Sequence, residues 1–229
     1  PKGLSKFPLK PIESCRFGEI IQMDFTHFSQ TTNSGYTQAQ VIIDHYTKYA
    51  EAAPCGISTA EIACDLLLRK WFARHGTPAY VQCDNGPEFA SKLTELFLQA
   101  GMVITVHSTP IHPGTNGSVE RQNRTLKNLL KVFGSRYVYD WDIRLDEVLG
   151  IYNGTVHSTT GVTPYQLLTG KEKTTPLSYI FPEYLPEKFR TRQDYIQDTL
   201  QRQQELHRLV RHNTQQAQRR QKKYFERAS

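Results

Sequence analysis

Three acidic residues, Asp24, Asp84 and Glu120, are candidates for a role in chemistry, since the packing of strands does not require an acidic residue at the first two positions. Asp24 lies inside the predicted strand 19–25, and Asp84 directly follows an apolar run that ends at Cys83. Strands disfavour acidic residues, although an exposed edge strand would account for Asp24 and a turn cap for Asp84. Glu120 stands near the start of a predicted helix. If the two strands are neighbours and the helix crosses their ends, the three carboxylates converge and need a cation to offset their charge.

Oxygen ligands of this kind suit Mg²⁺ or Mn²⁺. Two such ions, about 3.5–4 Å apart, stabilise both the attacking and the leaving oxygen of an in-line phosphoryl displacement. The pattern therefore predicts a two-metal site for phosphoryl transfer, in which Asp24, Asp84 and Glu120 are the metal ligands and the catalytic residues.

The helix that carries Glu120 is predicted to span 118–136 and to be amphipathic. At about 100° per residue, Glu120, Arg124, Lys127 and Lys131 fall within about 60° of one another. The opposite side is apolar and consists of Val119, Leu126, Leu129, Leu130 and Phe133. Taken alone, this helix is better explained by a solvated face in which Glu120 pairs with Arg124. Beside the two strand carboxylates, its cations are placed to hold a phosphodiester backbone next to the metals.

Hydrophobic periodicity predicts the elements that would position these residues. Three antiparallel strands are predicted at 19–25, 40–44 and 46–53, and two further strands at 79–83 and 102–106. Helices are predicted at 59–75, 88–100, 118–136, 141–152 and 163–169. Strands that then alternate with helices indicate an α/β sheet of mixed strand direction.

The net charge of +6 is concentrated at one end of the chain. Residues 187–229 hold 11 Lys and Arg against 5 Asp and Glu, whereas residues 1–186 hold 17 of each. A basic segment attracts nucleic acid through its phosphates. A thin apolar stripe in this tail predicts one or two long helices; its members are Tyr195, Ile196, Leu200, Leu209 and Val210.

Other sequence features exclude several classes of protein. No run of about 18 apolar residues is present, so a transmembrane helix is not expected. The amino end, Pro1 to Pro11, is too rich in Pro and Lys for the apolar segment of a secretory signal. The four cysteines form no C-x-x-C pair, which predicts buried thiols in a reducing compartment rather than disulfides or a zinc site.

Several short motifs follow one another along this chain in the order and at the spacing of a known family. Between Asp84 and Glu120 lie 35 residues. The surrounding motifs are Met23 to Phe25, Asp44 to Lys48, His75 to Pro78, Asp84 to Phe89, His112 to Gly117, Glu120 to Asn123, Tyr152 to Asn153, His157 to Gly161 and Thr163 to Pro164. Over about residues 17–170 the chain resembles retroviral and LTR-retrotransposon integrases, the gypsy-type elements most closely, or a host-domesticated copy of one.

The resemblance implies an RNase H-like α/β core with a five-stranded mixed sheet flanked by helices, followed by a long helical tail. It implies a transferase, with associated endonuclease activity, that trims and joins DNA ends with two Mg²⁺ or Mn²⁺ ions. Asp24 and Asp84 would bridge the metals and Glu120 would complete one metal site. The residues implied to contact double-stranded DNA are His112, Arg121, Asn123, Arg124, Lys127 and Lys131. A homo-oligomer, in the nucleus or in a virus-like particle or pre-integration complex, is expected, and no membrane partner.

The predicted organisation is a linker or arm at 1–16, a catalytic core at 17–186 and a basic helical tail at 187–229. The amino-terminal zinc module and the carboxy-terminal barrel of such integrases find no match here, so we expect them in a parent protein of which this chain is a fragment or processed product. Two alternatives remain: a domesticated domain that binds DNA or protein without catalysis, and an RNase H-type nuclease. The three intact carboxylates favour catalysis, and the 35-residue spacing favours the integrase over the nuclease.

Overall fold

A computed structural model of the chain describes residues 14–83, 85–102, 104–108, 126–174 and 191–227. Its centre is a five-stranded sheet with the strand order β3-β2-β1-β4-β5. The strands are β1 (Ile20–His27), β2 (Gln38–Asp44), β3 (Ala50–Cys55), β4 (Tyr80–Cys83) and β5 (Thr105–Ser108). β1 to β3 are antiparallel, and β4 pairs in parallel with both β1 and β5. The predicted mixed sheet and the adjacency of the first and fourth strands are confirmed.

Helices cover both faces of this sheet. They are α1 (Ala60–Leu66), α2 (Ala73–His75), α3 (Pro87–Gln99), α4 (described over 126–136), α5 (Leu145–Asn153), α6 (Pro164–Thr169) and α7 (Arg192–Arg227). The π-helical segment Leu67–Phe72 joins α1 to α2, so the predicted helix 59–75 is continuous but wound more loosely in its middle. The Thr59 hydroxyl caps α1 by accepting the Ile62 N–H at 3.3 Å, and Gly76, at φ 84°, ends α2.

The third strand begins later than its apolar pattern predicts. Residues 45–49 form a turn because the Asp44 carboxylate accepts the Thr47 N–H at 2.6 Å and the Thr47 hydroxyl at 2.7 Å. Lys48 then adopts φ 65°, a conformation a strand does not use. Two other boundaries shift in the same way: β5 starts at Thr105, after Met102 has closed the end of α3, and α5 starts at Leu145, after turns at 141–144.

The core is divided into two layers by the sheet. On one face, Met23 and Phe25 of β1 pack against Trp71, Leu93 and Phe97 of the helices. On the other face, β2 and β3 pack against α4 and α5; the members include Val41, Ile43, Ala52, Leu126, Leu130, Trp141 and Val148. Each apolar layer removes side chains from water and so fixes the helices over the strands. Cys55, Cys64 and Cys83 are buried thiols as predicted, whereas Cys15 is exposed and contradicts that prediction.

The basic tail forms the single helix α7, and it docks on the core. A small cluster joins Val210 and Leu206 of α7 to Tyr46, Val162 and Leu167. The predicted apolar seam is wrong in most of its members, because Tyr195, Ile196, Leu200 and Leu209 are exposed and only Val210 is buried. No helix in the described ranges is both long and apolar enough to span a membrane.

Candidate active site

Asp24 lies in the middle strand of the sheet. It pairs with Val41 of β2, on the face that α4 and α5 cover, and its side chain is 13% exposed. Its Oδ1 accepts the Phe25 N–H at 2.7 Å. The central position of β1 excludes the exposed edge strand as an explanation for this acidic residue. A carboxylate this shielded from water needs a cation or hydrogen-bond donors to offset the cost of its burial.

Lys127 supplies the cation that faces Asp24. Its ammonium forms an ion pair with Asp24 Oδ2, and its side chain is 28% exposed. Leu126 and Leu130 anchor α4 in the core, and Lys127, at the edge of that apolar face, reaches Asp24 of β1. Lys131 follows one turn later and is exposed. The predicted apolar face of this helix is confirmed at Leu126 and Leu130, while Leu129 and Phe133 are partly buried against the same layer.

The parallel pairing of β1 and β4 ends immediately before two of the predicted carboxylates. Met23 pairs with Cys83, and Asp24 and Asp84 are the next residues of the two chain segments. Asp84 itself lies outside the described residues. So do the other predicted site residues before position 126, namely His112, Glu120, Arg121, Asn123 and Arg124. Within the described ranges, no group of three or more His, Cys, Asp or Glu residues could hold a metal ion.

The one described member of the predicted ligand set fits a hard divalent cation. Asp24 offers carboxylate oxygen, the donor that Mg²⁺ and Mn²⁺ prefer, and its Oδ2 already faces a positive charge. Asp44 lies three positions away along the β1–β2 pair, opposite Ile21, which is about 10 Å at the rise of a strand. At that distance Asp44 does not lie beside Asp24. Glu88, in the first turn of α3, is exposed.

Comparison with protein families fits this geometry. Residues 16–113 match the family model of the integrase core domain. Over these residues the chain belongs to the integrase core domain family. The matched segment contains Asp24 and Asp84 and ends before Glu120.

Retrotransposon polyproteins and retroviral integrases are similar to this integrase core. The chain is 32% identical over 163 residues to the Tf2-3 and Tf2-4 transposon polyproteins of Schizosaccharomyces pombe, covering 70% of this chain and 12% of each polyprotein. It thus spans about an eighth of the length of these curated relatives.

Among solved structures, a chain of the simian T-cell lymphotropic virus intasome, in complex with PP2A regulatory subunit B56 gamma, superposes with a TM-score of 0.57 and 24% identity. The match covers 83% of this chain and 65% of that one. This likeness supports the fold: an RNase H-like mixed sheet of the kind found in integrase catalytic cores.

A buried polar turn of the integrase core went unassigned from the sequence. Asp44 is fully buried and accepts the Gly18 N–H at 2.9 Å in addition to its bonds from Thr47. Burial raises the pKa of this carboxyl, and the bonds from Thr47 oppose the rise. Lys48 is buried nearby, donates from Nζ to the His45 carbonyl at 2.6 Å, and has its pKa lowered to about 8 by burial. The turn places charged groups in the interior without directing them at Asp24.

A second unassigned contact connects α5 to the sheet edge. Asn153 is buried; its Oδ1 accepts the Ala50 N–H and its Nδ2 donates to the Ala50 carbonyl, both at 2.9 Å. Because β3 lies at the edge of the sheet formed by the described residues, no strand among them pairs with Ala50 on its outer side. The Tyr152-Asn153 motif could have signalled this role, since a buried amide at a helix end commonly satisfies backbone groups.

Proposed function

We propose that this chain is the catalytic part of an integrase-type polynucleotidyl transferase, which processes and joins DNA ends by two-metal phosphoryl transfer. The observation that carries the proposal is the shielded carboxylate of Asp24 in the central strand, facing a lysine of the helix that crosses it. Neither the packing of the sheet nor an edge position accounts for this acidic residue. Membership of the integrase core family supports the same chemistry.

Asp24, Asp84 and Glu120 would hold the divalent cations, Mg²⁺ or Mn²⁺. Asp84 is covalently next to Cys83, and Cys83 pairs with the neighbour of Asp24. Glu120 precedes Lys127 by seven residues in sequence, which is about two turns if the helix extends that far. The bound ions would supply Lewis-acid stabilisation of the attacking and leaving oxygens.

The cations of the α4 region would hold the DNA. Lys127 would exchange its carboxylate partner for a phosphate when Asp24 is bound by a divalent ion, and Lys131, exposed one turn further, would contact the same backbone. Arg124 extends this series toward Glu120, and the family resemblance adds His112, Arg121 and Asn123. None of these contacts would read sequence, since phosphates are common to every site.

The domain organisation and the partners follow as parts of the same proposal. Residues 17–186 would be the catalytic core, 1–16 a linker or arm, and 187–229 a basic helical tail that binds double-stranded DNA non-specifically or contacts another subunit. The working form would be a homo-oligomer acting in the nucleus or in a virus-like particle.

A strand-transfer assay tests the proposal. The 229-residue chain is incubated with Mg²⁺ or Mn²⁺ and a short duplex that has a recessed 3′ end, and joined products are separated by size. Asp24→Asn and Asp84→Asn should each abolish joining and disintegration, because the amide cannot replace the charge of a ligand carboxylate. Asp65→Asn is the matched control, since Asp65 is exposed and pairs only with Arg69 in the following turn of its helix among the described contacts.

The outcomes separate catalysis from binding. Full activity in Asp24→Asn or Asp84→Asn would refute the metal assignment. Absence of joining and disintegration in the unmodified chain with both metals would refute catalysis by this chain and favour the domesticated, binding-only alternative. Circular dichroism of each variant establishes that the fold is kept.

A further inference from the structure

A pocket of about 260 Å³ opens between the end of β1 and the second half of α4. It is lined by His27, Phe28, Ser29, Gln30, Lys131, Gly134, Ser135, Val138 and Trp141. Of these residues only Lys131 has a role in the function proposed above, as a contact to the DNA backbone, and none of them is a proposed metal ligand. Its composition combines one lysine and one histidine with hydroxyl and amide groups and an aromatic wall, and none of the described residues that line it is acidic.

The aromatic wall is rigidly built. The rings of Phe28 and Trp141 stack with centroids 3.9 Å apart and an interplanar angle of 17°. Trp141 is 3% exposed, and its Nε1 is buried without a hydrogen-bond partner among the described residues. Gly134 of α4 lies directly against Phe28: a Cβ at this position would come within 2.6 Å of the ring. The glycine thus lets the ring approach the helix, and any side chain there would displace the wall.

The polar rim of the pocket is suited to a phosphate ester. Lys131 is exposed, and the hydroxyls of Ser29 and Ser135 are on exposed residues of the same opening. A lysine ammonium binds a phosphate as a point charge, and the Ser29 hydroxyl can donate to its oxygens. The Ser135 hydroxyl donates to the Val132 carbonyl at 2.8 Å. Phe28 is half-buried and lines the pocket, so the part of its ring that Trp141 and Gly134 leave uncovered offers an apolar surface for a base. Bases pack on aromatic side chains irrespective of their identity.

The position of the pocket relates it to Asp24. His27 is three residues beyond Asp24 on β1, about 10 Å at the rise of a strand. Lys131 is one turn beyond Lys127 on α4, about 6 Å along the helix. Both elements therefore lead from the ion pair to the pocket in the same direction. A DNA strand whose reacting phosphate lies at Asp24 would reach the pocket within a few nucleotides.

We propose that this pocket holds one nucleotide of the DNA strand that passes Asp24, with its phosphate on Lys131 and its base against Phe28. The proposal rests on the proposed function, because it takes DNA as the substrate. It adds a positioning site: a nucleotide held here fixes the distance between the reacting phosphate and the strand that flanks it. Recognition through a phosphate and a ring face tolerates any base, so the pocket would set register rather than sequence.

Photo-crosslinking tests the proposal. A 5-iodo-deoxyuridine is placed at successive positions of a duplex with a recessed 3′ end, one position per substrate, and the 229-residue chain is irradiated in complex with each. Iodouracil crosslinks to aromatic side chains in contact with it. We expect the peptide containing His27 and Phe28 to be labelled from one position or two adjacent positions. Labelling from no position, or equally from all, would overturn the proposal.

Three variants sharpen the result. Lys131→Gln should lower labelling of that peptide at least threefold and reduce the salt dependence of DNA binding by about one phosphate contact. Gly134→Ala should also lower labelling, because its methyl group displaces the Phe28 ring. Lys171→Gln, an exposed lysine that does not line the pocket, should leave labelling unchanged. If Gly134→Ala fails to fold, the comparison of Lys131→Gln with Lys171→Gln still decides, and equal labelling in those two would refute the pocket.

Asp24→Asn separates this inference from the proposed function. The variant should lose joining and keep the labelling pattern, since it alters the reaction centre and not the pocket. If the unmodified chain is labelled at one position but never joins DNA, the nucleotide site stands and the transferase proposal fails. If the chain joins DNA but its labelling does not depend on position, the transferase proposal stands and the nucleotide site fails.

Discussion

Replacement of Asn153 by alanine is expected to be among the most destabilising single changes at the edge of the sheet. The side chain is 5% exposed and makes two hydrogen bonds of 2.9 Å, one to the N–H and one to the carbonyl of Ala50. Ala50 is itself 1% exposed, so water cannot replace the lost partners without opening the contact between α5 and β3. Alanine removes the donor and the acceptor together.

The magnitude follows from those two bonds. A buried backbone group left without a partner costs about 1–3 kcal/mol, so two of them predict a loss of about 2–5 kcal/mol in the free energy of unfolding, allowing for partial relaxation. For a chain of this size, each kcal/mol lowers the melting temperature by about 2–4 °C. Asn153→Asp should also destabilise, because it keeps the acceptor for the Ala50 N–H but places a carboxylate against the Ala50 carbonyl.

Equilibrium unfolding in urea, followed by circular dichroism and by tryptophan fluorescence, measures the loss. Asn33→Ala is the matched control: Asn33 donates to Asp140 at 3.0 Å, but this bond is exposed, so its removal should cost less than about 1 kcal/mol. A loss in Asn153→Ala no larger than in Asn33→Ala would refute the reasoning that α5 secures the edge strand through this amide.

Three further predictions concern charge. Lys127→Met should lower the free energy of unfolding of the metal-free chain by about 1–3 kcal/mol, because Asp24 loses its cation. Calorimetry should show that the variant binds Mn²⁺ as tightly as the unmodified chain or more tightly. Loss of Mn²⁺ binding would contradict the competition between the Lys127 ammonium and the metal for Asp24. Burial lowers the pKa of His157 from 6.5 to about 4, so between these pH values the unfolded chain binds a proton that the folded chain does not. The free energy of unfolding should therefore fall by up to about 1.4 kcal/mol per pH unit as the pH drops through that window. Urea titrations should give a shallower pH dependence for His157→Gln than for the unmodified chain, and an identical slope would refute the assignment. Deletion of 187–229 removes the net charge of +6, so it should weaken DNA binding and reduce the salt dependence of that binding. Mn²⁺ binding should be unchanged. Calorimetry that shows lost Mn²⁺ binding in this truncation would contradict the assignment of metal binding to the core and DNA binding to the tail.

The elements of the fold were largely predictable because each has a strong local pattern. β1 and β2 alternate or run apolar between turn residues, and α3 begins at Pro87 after Gly86 and repeats its apolar residues at helical spacing. The predictions went wrong where a side chain ended or delayed an element. Asp44 holds the turn that postpones β3, and four turn residues with the buried Trp141 precede α5. Such turns depend on a few short-range hydrogen bonds, and the hydrophobic periodicity of the sequence gives no sign of them.

The long helix α7 shows a different limit of sequence reasoning. Its Gln- and Arg-rich composition predicts a helix, and the structure has one, but the apolar stripe does not indicate where the helix packs. Of that stripe only Val210 is buried against the core, where Leu206 and His207 join it. The ring of His207 stacks on Tyr46, and its Nδ1 lies 2.7 Å from the Tyr46 hydroxyl. A pairing between residues 161 positions apart leaves no local signal in either segment.

The sequence by itself determined the family, the chemistry to look for and the residue types able to perform it, because the spacing of Asp24, Asp84 and Glu120 and their flanking motifs are properties of the chain order. Only the tertiary structure decided that β1 is the central strand, which removes the edge-strand explanation for Asp24. It also decided that Lys127 neutralises this carboxylate and that β1 and α4 enclose a pocket beyond it. These outcomes depend on the order of strands in the sheet and on the seating of one helix across it, and both are set by contacts between segments about 100 residues apart, as the separation of Asp24 from Lys127 illustrates.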